Sequence, residues 1–385
     1  MRQGLALLFA YPFRIFFLSA AVLAVVAVPA WLALLPGGAR APLVFAPLHW
    51  HQHEMLFGFL HAAIAGFLLT AVCNWTGTER LHGRALVALW TVWLAGRVAL
   101  AAGAALPAWL AHGIDLLFLP LVMLDAGWRI AAARQHRHWI VVAVLGLLWA
   151  MEIGFHRAPA GPFARGALLA AMTLMLVIGG RITPAFSGNW LRLRGRDPAV
   201  VRVVPRLEQA TLGAMAAVLV TQLAAAPPAL AAGAALLAAA ASGARLLLWR
   251  GWAVREEPLL WILHLALAWI PAALILLAAA ELGRAPATAW VHAAGTGAMG
   301  SLILGVMSRV ALGHTGRPLR LPRGMTTAFV LILAAGVVRV LTALAALPWR
   351  GGVELAGALW TLAFAIFLVR YAALLASPRA DGKPG

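Results

Sequence analysis

Twelve separate stretches of roughly twenty apolar residues run along this chain, each long enough to cross about 30 Å of hydrocarbon at 1.5 Å per residue. They lie near 15–36, 48–72, 85–104, 107–128, 138–156, 163–181, 206–224, 228–248, 258–281, 286–308, 325–346 and 353–375. A segment in lipid finds no water for its backbone polar groups, so it must close its hydrogen bonds within itself as a helix. The expected fold is all-α: a polytopic membrane protein of about twelve transmembrane helices. It forms a single transmembrane domain over 1–385, with 1–195 and 196–385 as candidate six-span halves. Composition agrees, because 63% hydrophobic and 11% charged residues over 385 positions is too apolar for a soluble domain.

The formal charge of +18 would suit nucleic acid if it were gathered into a patch. Instead the arginines alternate between loops. The N-terminus and the loops after spans 2, 4, 6, 8 and 10 carry most of them, from Arg2 and Arg14 to Arg245, Arg317 and Arg323, whereas the opposite loops hold only Arg40, Arg157, Arg165, Arg284 and Arg350. The positive-inside rule then sets both termini in the cytoplasm, with which an even number of spans agrees, and excludes nucleic acid as the reason for the charge. Arg14, in Pro12-Phe13-Arg14, is expected at the lipid headgroups. The first residues lack a small-residue cleavage site, so span 1 is expected to stay. The longest interior polar segment, about 182–205, reads as a loop and as the boundary between the two halves.

Cys73 is the one cysteine, which excludes an intrachain disulfide and any thiolate-held cluster; metal would have to be held by nitrogen or oxygen. The histidines therefore matter most. Span 2 opens with Trp50-His51-Gln52-His53-Glu54-Met55, ionisable groups in an apolar run. Each such group costs a few kcal/mol in a bilayer and normally has a partner. His53 lies about 7 Å down its helix and His292 about 9 Å down span 10, both entering from the outer side. Two imidazoles at one level on different helices are the arrangement that grips a haem iron from both faces. Small residues support this pairing: Ala293, Gly297, Ser301 and Gly305 on span 10, and Gly58, Ala62 and Gly66 on span 2. Such strips leave a flat surface for a planar ligand or let helices pack closely, and spacing alone does not choose.

On a helical wheel His49 and His53 share a face while His51 points away. His112 and His156 bring two more imidazoles to the outer side, and three nitrogens there would suit copper. His264 enters span 9 from the other side, too deep to share that iron, and His61 falls near its level. Arg97 and Arg339 sit inside apolar runs and need partners, with Glu54, Asp115, Asp125 and Glu152 as candidates, either in ion pairs or through haem propionates. After span 10, Gly313-His314-Thr315-Gly316-Arg317 can form a turn that attracts an anion or simply caps the helix.

Together these segments resemble the NnrS family of bacterial membrane proteins. The resemblance rests on Pro12-Phe13-Arg14-Ile15-Phe16-Phe17, Trp50-His51-Gln52-His53-Glu54-Met55-Leu56-Phe57-Gly58, Gly179-Gly180-Arg181 and Leu312-Gly313-His314-Thr315-Gly316-Arg317, and runs from about residue 10 to 375. It implies a haem- and copper-containing protein of the bacterial inner membrane, tied to nitric oxide metabolism and nitrosative-stress protection. The family histidines carry over to His51, His53, His156, His264, His292 and His314; His49, His61 and His112 do not match family positions. The chain departs from the family pattern at Ala266 and Leu267, where Gly and Tyr are usual, and at Glu152, where Asn is usual.

The leading expectation is thus a haem–copper protein that binds nitric oxide and either reduces it, as a reductase-like enzyme fed by an unidentified electron donor, or only holds it. His53 and His292 would ligate haem b, His51 and His156 a copper, and His264 a deeper haem or the fold itself. A transporter or channel with a histidine-lined path, or a metal-holding partner without turnover, are the alternatives.

Overall fold

The computed structural model describes residues 2–35, 43–103 and 105–383, so Arg40 lies outside the described residues. Twelve helices among them are long and apolar enough to cross a membrane. They are Pro12–Leu34 (span 1), Pro47–Thr76 (span 2), Gly83–Ala101 (span 3), Ala108–Ala132 (span 4), His136–Arg157 (span 5) and Phe163–Leu193 (span 6). There follow Pro198–Leu223 (span 7), Pro228–Trp249 (span 8), Pro258–Glu281 (span 9), Ala287–His314 (span 10), Met325–Ala343 (span 11) and Trp349–Leu375 (span 12). The chain is a multi-pass membrane protein. It divides into two compact units, one of residues 1–167, 307–325 and 360–385, the other of 168–306 and 326–359. The division follows packing rather than chain order.

In the first unit, spans 1 and 2 meet through an aromatic face. Phe13, Phe16 and Phe17 are fully buried, and a Cβ on Gly66 would stand 2.7 Å from the Phe17 ring, so only glycine fits there. Thr70 ties the pair together: its Oγ1 accepts from the Phe13 backbone N–H at 3.2 Å and donates to the Gly66 carbonyl at 2.7 Å. Arg14 is turned into the protein rather than out toward lipid. It is fully buried and donates to the carbonyls of Leu375 and Ser377, at 2.6 and 2.7 Å, because span 12 ends where those carbonyls have no partner within the helix. The turn after span 10 is anchored by the chain's own tail. The Ala380 N–H donates to the Thr315 carbonyl, Arg379 donates to the His314 carbonyl, and the Asp381 carboxylate packs against Gly316, whose φ is +67°. The anion expected at this turn is therefore supplied from within. His314 itself packs between Tyr11 and Phe13.

Arg379 holds the Asp381 carboxyl down to about 2 from its usual 3.8. A depressed carboxylate stabilises the folded tail fully above the ordinary value and loses that contribution as pH falls through about 2. We expect pepsin to release the tail readily at pH 2 but slowly above pH 4, and Asp381→Asn to make it trypsin-sensitive at neutral pH. Equal cleavage of variant and wild type would contradict this anchoring.

In the second unit, span 6 continues as helix to Leu193, through Pro184 and well into the segment that composition reads as a loop. Packing overrides composition here: Trp190 and Leu191 bury against Val254 and Leu260, and the Trp190 indole donates to Glu257 Oε2 at 3.1 Å. Arg245, which loop counting places at the membrane surface, is buried inside span 8 and pairs with Glu208, Nε to Oε1 at 2.8 Å. The small-residue strip on span 10 is used for packing. A Cβ on Gly297 would strike the Trp269 ring, and one on Gly305 would lie 2.9 Å from Ile262. Span 9 covers the surface that a planar ligand would need.

Candidate metal centre

Spans 2 and 10 each contain a π-helical turn, Glu54–Phe59 and Ala293–Gly300, and each turn begins one residue after a histidine singled out by its depth, His53 and His292. A π-turn inserts one residue into an α-helix, rotates everything beyond it and occurs often at functional sites. In span 2 the carbonyls of Phe57 and Gly58 accept from the Arg97 guanidinium at 3.0 Å and the Trp93 indole at 3.1 Å.

Around His53 the first unit gathers titratable side chains from spans 2 to 5. His53 Nε2 lies 2.9 Å from Asp115 Oδ2 and 3.3 Å from His156 Nε2, and His156 Nε2 lies 2.9 Å from the same Asp115 oxygen. With Glu152, the four side chains place one ligand atom each within 4.8 Å of all the others. Their carboxylates and His53 are at most 3% exposed. A second ring of polar groups surrounds the first. Glu54 Oε1 stands 3.4 Å from His53 Nδ1, His112 Nδ1 meets His156 Nδ1, and His61 Nδ1 lies 3.8 Å from Glu152 Oε1. Arg97 bridges Asp115 Oδ1 and Glu54 Oε2, the latter at 3.2 Å. Phe45, Phe57 and Phe155 close the sides, with Phe45 5.4 Å from the rings of His53, His112 and His156.

These donors fit a small ion. With bonds of about 2.1 Å, neighbouring ligand atoms stand about 3.0 Å apart in an octahedron and about 3.4 Å in a tetrahedron. The triangle of 2.9, 2.9 and 3.3 Å matches those edges. A haem iron fits poorly at His53, because its Nε2 faces an imidazole nitrogen and a carboxylate oxygen at hydrogen-bonding distance, leaving no slot for a porphyrin plane.

The remaining candidates are distributed as follows. His51 stacks on Trp31, ring centroids 4.1 Å apart, whereas His156 joins His53. His292 is in the second unit, where its Nδ1 donates to the Thr288 carbonyl at 2.7 Å, which leaves the lone pair on Nε2. His264 is buried in the same unit. Its Nε2 bonds Ser187 Oγ at 3.0 Å, and Gly251 lies so close that a Cβ there would be 2.7 Å from its Nδ1. Both ring nitrogens are thus covered by protein. Arg97 has the carboxylate partners its depth demanded; Arg339, half-buried on span 11, has no hydrogen bond or ion pair among the described residues.

Two participants were weakly marked in the sequence. His112 matches no family position and reads as an interface histidine, yet it touches His156. Glu152 stands where the family pattern carries Asn and supplies the fourth donor. The usable signal was placement: His112 and Asp115 fall near the start of span 4, and Glu152 and His156 near the end of span 5. A protein-family model described as NnrS protein matches residues 7–379. No curated protein matches the chain.

Proposed function

Since the chain belongs to the NnrS family, we propose that it binds nitric oxide at a metal held by His53, His156 and Asp115 within the bilayer, in nitric oxide metabolism or nitrosative-stress protection in the bacterial inner membrane. The observation that carries this reading is the buried convergence of those three donor atoms. Nitric oxide is small and nearly apolar, so it reaches such a depth by partitioning through lipid. A redox-active ion there supplies an open coordination position and an electron, which is what reduction, as opposed to storage, would draw on.

The protein's own residues do the rest. Glu54 and His112 turn the two imidazoles so that both Nε2 atoms face inward, as outer partners of ligating histidines do. Arg97 holds Asp115 by its other oxygen. Phe45, Phe57 and Phe155 keep water from the cluster, which strengthens each electrostatic contact inside it. The family resemblance implies haem b and copper; at His53 the donor set favours a small ion over haem, so no step is assigned to haem there.

The test is anaerobic: purified, metal-loaded protein in detergent with an artificial electron donor and a nitric oxide electrode. We expect nitric oxide to be taken up by the wild type and His156→Ala to abolish uptake. Continued loss of nitric oxide with donor would identify a reductase, and uptake that stops at saturation a binding protein. No uptake by fully loaded protein would refute the reading.

A further inference from the structure

We infer that the cluster is a mononuclear non-haem iron(II) site, with one face formed by His53 Nε2, His156 Nε2 and Asp115 Oδ2 and with Glu152 as the next ligand. Geometry is the first support, since the three atoms already occupy neighbouring corners of a coordination polyhedron. Charge is the second. Glu54, Asp115 and Glu152 outnumber the one fixed cation among them, Arg97, and each of these side chains is under a tenth exposed. Uncompensated buried charge is costly, and a divalent cation at the centre removes it. Unused bonding capacity is the third: Glu152 Oε2 is buried with no hydrogen-bond partner.

The donor set narrows the ion. Imidazole nitrogens exclude calcium and magnesium as the favoured occupants, because those ions prefer all-oxygen surroundings. Two carboxylates and no sulfur disfavour copper(I), since Cys73 bonds to the Leu69 carbonyl toward the far end of span 2; copper(II) prefers a tetragonal plane in which two of any three donors stand opposite, whereas these three are all neighbours. Two histidines and one carboxylate on one face, with positions left open, are the signature of non-haem iron(II). Zinc would accept the same donors but has no redox chemistry, and its exclusion rests on the proposed reaction with nitric oxide.

The test separates metal identity from nitric oxide chemistry. Protein expressed with iron, copper and zinc all supplied is purified anaerobically, and metal and haem are quantified per chain. We expect about one non-haem iron per chain, retained in His292→Ala and reduced about tenfold or more in Asp115→Asn and His156→Ala. Should those variants fold poorly, metal-stripped wild type is titrated with cobalt(II), whose visible spectrum reports nitrogen and oxygen ligands; saturation at one equivalent is expected. Zinc or copper in place of iron, iron retained in both cluster variants, or no cobalt spectrum would overturn the inference. Iron bound as expected with no nitric oxide uptake would uphold it and refute the proposed function instead.

Discussion

Arg97→Met is expected to destabilise the first unit by about 3–5 kcal/mol, the usual cost of removing one partner from a buried ionic network. The guanidinium is 9% exposed and lies between two carboxylates that are still more buried, Glu54 and Asp115, while also donating to the Phe57 carbonyl. Methionine fills much of the volume but leaves both acids facing each other in a low-dielectric interior. Arg97→Lys should recover little, because one ammonium cannot span both acids and the carbonyl as the planar fork does. Arg350→Met provides the contrast. Its pair with Glu354 is 77% and 57% exposed, so its loss should stay within about 0.5 kcal/mol. Thermal unfolding in detergent reads both, and an unfolding temperature for Arg97→Met equal to that of wild type would show that the network carries no net stability.

Gly96→Ala should separate metal positioning from folding. A Cβ on Gly96 would lie 2.7 Å from Asp115 Oδ1 and 3.1 Å from the Asp115 Cα, so the carboxylate and the backbone of span 4 both have to move. Overpacking of this kind costs about 1–3 kcal/mol. A shift of Asp115 should also cut metal retention about tenfold, as loss of an outer partner commonly does. Gly113→Ala, on the same span 4 with nothing within 4 Å, should keep the metal and gain about 0.5–1 kcal/mol from the better helix former. Equal metal content in the two variants would mean that the spacing of spans 3 and 4 does not position Asp115.

Much of this could be read along the chain. Spans 1 to 5 and 7 to 12 lie close to their apolar runs, since crossing hydrocarbon is a local demand on length and polarity. The isolated ionisable residues announced themselves for the same reason: Arg97 and His53 needed partners, and Glu54 and Asp115 were among those anticipated for the arginine. Where the reading ran short, rotation and packing were responsible. Helical spacing held for His49, His51 and His53, which precede the π-turn at Glu54–Phe59, but that turn re-aims every side chain below it. Depth alone singled out His53, and it could not name His156 and Asp115 as the side chains that meet it. Span 6 outran its apolar run because Trp190 and Leu191 found a core, and Arg14 and Arg245 looked like headgroup arginines until carbonyls and Glu208 proved to be beside them.

The sequence by itself therefore determined that the chain is a set of membrane-crossing helices, which ionisable groups lie inside apolar runs and that no cluster of cysteine thiolates can hold a metal. Those properties belong to single segments in a solvent of fixed thickness. Only the tertiary structure decided which groups meet, because four donors from spans 2, 4 and 5 converge through helix rotation and spacing, which are set by neighbours distant in the chain.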